Sequence, residues 1–236
     1  MLTHYTRMPE AVANILVNGF AWFPNRRRLA SLLMPEHDFS KREPQQFGMI
    51  SFTEITPRDA KAHADEFGHF GIVVSESWAA RQNAQRVIYV AQQGAATDAW
   101  CALFAIGYED VRARIAYPDD GVWQMAYENK VIASAIAGSS LWANLLQIYE
   151  YMEPATVAHQ REWRIVNSQP YYSLSESKAE AIQQVSPPQG WAKHLNVVTI
   201  DCADVEALVC PPGRSHDLAA LLPESFRNVP IIETGV

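Results

Sequence analysis

Cysteine is scarce in this chain. Three occur among 236 residues, Cys101, Cys202 and Cys210, with no CxxC pair and no histidine pair beside any of them. Such an odd, dispersed set argues against both a disulfide framework and a structural zinc, so reduced thiols and no metal are expected. Long apolar runs are missing too. No window approaches the roughly 18 uninterrupted apolar residues of a membrane span, and the opening MLTHYTRMPE has no apolar h-region. The expectation is a cytoplasmic protein with no membrane attachment. A Gly-rich phosphate loop, HExxH and GxSxG are all absent. Positive charge is also in short supply: 19 Lys and Arg stand against 26 Asp and Glu, a net charge of −7. That balance argues against a surface coated in basic groups for non-specific nucleic-acid binding, while leaving a local basic groove open.

What is present describes a folded chain. With 48% hydrophobic and 19% charged residues it is globular and long enough to bury a substantial core. LTHYT alternates as a short strand. PEAVANILVNG predicts a helix, with Pro9 in its first turn, Val12, Ile15 and Leu16 on one face and Gly19 as its stop. The charged, proline-rich stretch from Ala21 to Gln46 reads as a long loop with one short helix. GMISFTEI predicts a strand, PRDAKAHADEFG a helix ending at Gly68, and FGIVVS and VIYVA two more strands. Residues 95–152 look mainly helical. REWRIV, LNVVTID, VEALVCPP and VPIIET are strand-like, with RSHDLAALLP a helix before the last of them. No repeat, low-complexity tract or linker divides the chain. The pattern predicts one mixed α+β domain spanning 1–236, with a helical insertion at about 95–152.

Three stretches carry chemistry. THYT puts His4 and Thr6 on one strand face, where an imidazole can donate to a ribose hydroxyl beside a second polar group; the bland alternative is a structural strand histidine. ISFTE puts Ser51 and Thr53 on one face and Phe52 on the other. The hydroxyls can position a carboxylate and the ring can stack on a flat ligand, or the hydroxyls are merely solvated. AHQREWRIV spaces Gln160, Glu162 and Arg164 at alternate positions, so a strand would turn all three to one face. There Glu162 can offset positive charge at a reacting sugar carbon and Gln160 can orient a nucleophile; otherwise Glu162 pairs with Arg161 or Arg164 on a solvated face. RRR at 26–28 and KRE at 41–43 add a cationic loop between the first two stretches. His63 and His69, six apart, have a poor metal spacing and read as surface or capping residues.

In their order, the His strand, the Ser/Thr strand and the Q-x-E strand resemble ADP-ribosyltransferases, which split NAD and transfer ADP-ribose. LTHYTRMPEAVANILVNGF also resembles the start of DarT-like transferases. Over residues 2–166, HYT, FGMISFTE, FGHFGIVVS and REWRIV are similar to the AbiGi family of abortive phage-infection proteins. The resemblance implies an ADP-ribosyltransferase-like split, mostly antiparallel sheet around an NAD cleft. It implies a mono-ADP-ribosyltransferase toxin of a phage-defence system, toxin–antitoxin or abortive-infection, acting on a nucleic-acid or protein acceptor. Glu162 and Gln160 would be catalytic, and His4, Thr6, Ser51, Phe52 and Thr53 would serve the NAD site. One of Arg26, Arg27, Arg28 and Arg42 would grip the diphosphate, for which the guanidinium fork is suited. A cognate antitoxin or chaperone is the implied protein partner. In SFT a Phe stands between the hydroxyls where a transferase of this class often has Thr, which bears on the role of Ser51. Two rivals remain: a non-catalytic antitoxin or sensor module of the same fold, and an NAD glycohydrolase.

Overall fold

A computed structural model describes residues 1–24, 48–91, 93–95, 97–103, 148, 150–166 and 197–234. Arg26, Arg27, Arg28 and Arg42 lie outside these residues, as does most of the expected helical insertion; within it, residues 97–103 are helical.

The strands are β1 (Leu2–Thr6), β2 (Phe20–Ala21), β3 (Phe23–Pro24), β4 (Gly48–Thr53), β5 (Phe70–Val74), β6 (Gln85–Arg86) and β7 (Ile88–Val90). They continue as β8 (Met152–Pro154), β9 (Glu162–Val166), β10 (Val197–Val198), β11 (Val205–Cys210) and β12 (Ile231–Glu233). Besides the helical residues 97–103, the α-helices are α1 (Pro9–Asn18), α2 (Lys61–Phe67), α3 (Glu76–Arg81) and α4 (Ser215–Leu221). The main sheet runs β12-β11-β5-β1-β4-β9-β6, with β3 also on β4. It is mostly antiparallel, β11–β12 being a parallel pair. Two smaller pairs, β10–β2 and parallel β7–β8, flank it.

Period-two alternation sorts side chains between the two faces. Leu2, Ile50, Phe52, Ile72, Val74, Ile165 and Leu208 meet Val12 and Leu16 of α1, Trp78 of α3 and Leu218 of α4. On the other face Tyr5, Val73, Ala207 and Val209 meet Ala60 and Ala64 at α2. Removing these apolar surfaces from water supplies most of the stabilisation, at roughly 25 cal/mol per Å2. Two glycines let helices turn back onto the sheet. Gly19 ends α1 at φ 88°, where a Cβ would lie 2.8 Å from the Val198 carbonyl oxygen. Gly68 follows α2 at φ 121°, where a Cβ would lie 2.1 Å from that of Thr6. Only glycine tolerates such positions. α3 is a helix that strand-like FGIVVS conceals: Ser75 caps it, its Oγ accepting from the Trp78 N–H at 3.1 Å.

Candidate active site

The main sheet is nearly parted at its centre. β1 and β5 share five register pairs, from Leu2↔Val74 to Thr6↔Phe70, and β4 and β9 share five, from Met49↔Val166 to Thr53↔Glu162. Between the halves the register is limited to Thr3 opposite Thr53, while β3 occupies the far end of the same β4 edge at Met49 and Gly48. Across this boundary, the His4 imidazole bonds the Ser51 carbonyl at 2.8 Å through Nδ1. A carbonyl only accepts, so Nδ1 carries the proton. Desolvation holds His4 below its usual pKa, against the opposing pull of that bond. Neutral His4 therefore presents Nε2 as an acceptor, whereas the sequence suggested a donor.

Ser51 also turns its hydroxyl to the carboxylate. Its Oγ donates to Glu162 Oε1 at 2.6 Å. Arg164 grips the same carboxylate with both arms of its fork, Nε to Oε1 at 2.9 Å and Nη2 to Oε2 at 3.0 Å. Arg164 is 1% exposed and additionally donates to the Glu150 carbonyl at 2.5 Å and to the Glu153 carboxylate. Burial alone would lower the Arg164 pKa; Glu162 and Glu153 outweigh it and hold the guanidinium firmly charged. Arg164 thus rivets Glu162 in place. The pairing is real, but the face is buried, not solvated: Glu162 is 8% exposed. The Tyr89 hydroxyl completes the frame by accepting from the Glu162 backbone N–H at 2.7 Å.

Gln160 departs from the expected strand. It ends a 3-10 helix, Ala155–Gln160, and Arg161 then takes the left-handed region at φ 47°, so the strand begins at Glu162. Two contacts hold this turn: the Glu54 N–H donates to the Arg161 carbonyl at 3.2 Å and the Arg161 guanidinium donates to the Glu54 carboxylate at 3.0 Å. Gln160 is nonetheless buried and aimed toward α2, its Nε2 donating to both Glu66 oxygens at 3.1 and 3.2 Å. Carboxylates only accept, so the amide orientation follows from the bond. Thr53, buried, donates to the Gln160 carbonyl at 2.7 Å and anchors the turn from below.

Three expected ligand contacts are spent elsewhere, the first being that of Thr53, whose hydroxyl is buried against the Gln160 carbonyl. Phe52 is 2% exposed, its ring edge-on to Phe20 and Trp78 in the core and to His4 at 5.8 Å. It supports the histidine and offers no open face for stacking. The Thr6 hydroxyl closes a local turn, accepting from the Met8 N–H at 3.2 Å. His4 and Glu162 approach Ser51 from opposite faces, because His4 sits on the α1 side with Phe20 and Phe52 while Glu162 shares the α2 side with Thr3 and Thr53. Ser51 links them, its carbonyl taking His4 and its hydroxyl holding Glu162.

No family model, no curated protein and no solved structure matches the chain.

The chemistry therefore rests on the residues. A buried carboxylate, fixed by a hydroxyl and a guanidinium on a backbone pinned by a phenol, can hold a ligand hydroxyl or oppose positive charge developing on a sugar, with little reorganisation when that charge appears. The neutral imidazole in the gap can accept from an O–H or N–H. Among the described residues no cluster of His, Cys, Asp and Glu is arranged to hold a metal ion. No helix among them is long and apolar enough to cross a membrane. Tyr89 and Glu66 gave no signal in the sequence, and His63, which reads there as a surface or capping residue, has a buried Nδ1. Tyr89 looks like any strand tyrosine, and the two α2 residues, at i and i+3, fall on one helix face only once α2 is known to cover this side of the sheet.

Proposed function

We propose that the chain is an NAD-dependent mono-ADP-ribosyltransferase with an ADP-ribosyltransferase-like split sheet. The observation that best supports this is the Ser51–Glu162 hydrogen bond at the edge of the near-split, on the same residue whose carbonyl holds His4. Loss of nicotinamide leaves oxocarbenium character on the ribose, and a fixed carboxylate is the group that chemistry requires. Glu162 would hold the ribose hydroxyl and oppose the charge. His4 would accept from a nucleoside hydroxyl through Nε2, and Gln160, steadied by Glu66, would orient the acceptor. The acceptor is a nucleic acid or a protein, and a role as a phage-defence toxin with a cognate antitoxin rests on the AbiGi-like and DarT-like resemblance of HYT, SFTE and REWRIV.

The deciding experiment is incubation of the purified chain with adenylate-labelled NAD and, in turn, RNA, single-stranded DNA and a protein extract. Label carried onto one acceptor by the parent, and lost in Glu162→Gln, is the expected result. Free ADP-ribose alone would mean a glycohydrolase. Intact NAD under all conditions would favour the non-catalytic binding module.

A further inference from the structure

We propose that His63 is the base that takes the acceptor's proton during transfer. The inference rests on the transferase reading above and adds a catalytic residue to it. His63 lies on α2, whose buried side packs on the sheet face that carries Glu162. Its ring stands 4.5 Å from Phe67 and 5.3 Å from Tyr5. Its Nδ1 is buried, with no hydrogen-bond partner among the described residues. Buried ring nitrogens are ordinarily satisfied, so an orphan one is a group waiting for a partner.

The surroundings suit a proton acceptor. Burial pushes His63 down to about 4, Glu66 on its own helix and Glu162 on β9 pull the other way, and His159 and His4 add to the lowering. The ring is therefore neutral at ordinary pH, and the tautomer protonated at Nε2 offers Nδ1 as an acceptor. Glu66, one turn along α2 on the helix that carries His63, also holds Gln160, the residue expected to orient the acceptor. As the acceptor's lone pair bonds ribose C1′, the C1′–nicotinamide bond breaks and its electron pair neutralises the pyridinium nitrogen. The acceptor's proton then passes to His63 Nδ1 and on to water. So weak a base takes the proton only once the bond to C1′ has acidified the acceptor; nicotinamide can recapture C1′ until that proton is gone, so its loss to His63 limits the rate of transfer. The imidazolium formed is stabilised by Glu66 and Glu162.

The test uses the full chain, adenylate-labelled NAD and the acceptor fraction that the parent modifies. In H63Q, transfer at pH 7.5 should fall about 100-fold, the scale of general-base catalysis. Release of free ADP-ribose should stay within a few-fold, because attacking water sheds its proton to bulk solvent. In H63A, added imidazole should restore part of the transfer, a rescue that a purely structural role does not permit. Parental transfer in H63Q, equal loss of both activities, or no rescue of a folded H63A would overturn the proposal. Should H63Q not fold, H63A and its rescue decide alone. Should neither fold, a parental transfer rate that stays flat as pH falls toward about 4 overturns it and a falling one supports it. A parent that leaves NAD intact sinks the transferase reading itself, whereas transfer that needs Glu162 but not His63 sinks this inference alone.

Discussion

Glu162 and Arg164 are each held by the other, and that has different consequences for the two. Replacing Glu162 with Gln keeps the shape and the Ser51 contact while removing the charge opposed to the oxocarbenium ion. Transfer should fall by about 100-fold or more in a kcat measurement, and the buried Arg164, left with the Glu153 carboxylate, should lower the unfolding midpoint too, by less than loss of the cation itself. Arg164→Met instead strands the carboxylates of Glu162 and Glu153 without their cation in a buried site. Breaking a buried pair from one side costs about 3–5 kcal/mol, which urea denaturation should report. The histidines set a pH limit. Folded His63 stays neutral down to about pH 4, whereas an unfolded histidine protonates near its ordinary value of about 6.5. Between those values the unfolded chain binds more protons, so stability is fully present above about 6.5 and is lost as pH falls toward 4. His4, also shifted down, adds in the same direction. Denaturation midpoints followed from pH 7 to pH 4 should decline, and less steeply in His63→Gln; an unchanged slope would show that His63 titrates normally.

At the scale of elements, the turn entering β9 decides where the site residues point. Arg161 is a non-glycine residue at positive φ, flanked by the two residues assigned to catalysis. Arg161→Gly and Arg161→Val both lose the Glu54 ion pair, so their difference isolates the backbone. The valine variant should be less stable by about 1–3 kcal/mol, and in it Gln160 and Glu162 should no longer be set by the same turn. A stability difference near zero would mean that the ion pair, not the dihedral angle, holds the corner. This corner also shows where sequence reading stops. Alternation made β1, β4 and β9 legible, because burial of one face writes itself into period two, and continuous apolar runs did the same for β5 and β11, buried on both faces. The apolar stripe of Val12, Ile15 and Leu16 did the same for α1. The site pair Ser51–Glu162 was legible as residue types in order. Placing Gln160 on the strand failed because nothing local in HQREW signals a left-handed arginine; Glu54, more than 100 residues earlier, fixes it. Tyr89 gave no signal and His63 read as a surface or capping residue for the same reason: what surrounds them comes from across long sequence separations.

Across the whole molecule, the sheet behaves as two ladders joined by one rung at Thr3 and Thr53. Native-state hydrogen exchange should show β1–β5–β11 and β4–β9 opening as two cooperative units at lower free energy than global unfolding. A ligand lodged in the gap should merge them, and raise stability as RT ln(1 + [L]/Kd) when NAD is titrated. Exchange that reports one unit throughout would mean that side-chain contacts, not strand pairing, join the halves. The same architecture also sets an order of events during synthesis. Ser51 and Glu162 lie 111 residues apart. While the ribosome is still making the intervening chain, β4 has one edge without its β9 partner, an open template for pairing with other nascent copies. Until Glu162 and Arg164 have emerged and docked, no carboxylate faces Ser51. On the transferase reading proposed above, the growing polypeptide would be inert toward NAD for most of its translation, and activity would arrive together with the closing of an aggregation-prone edge.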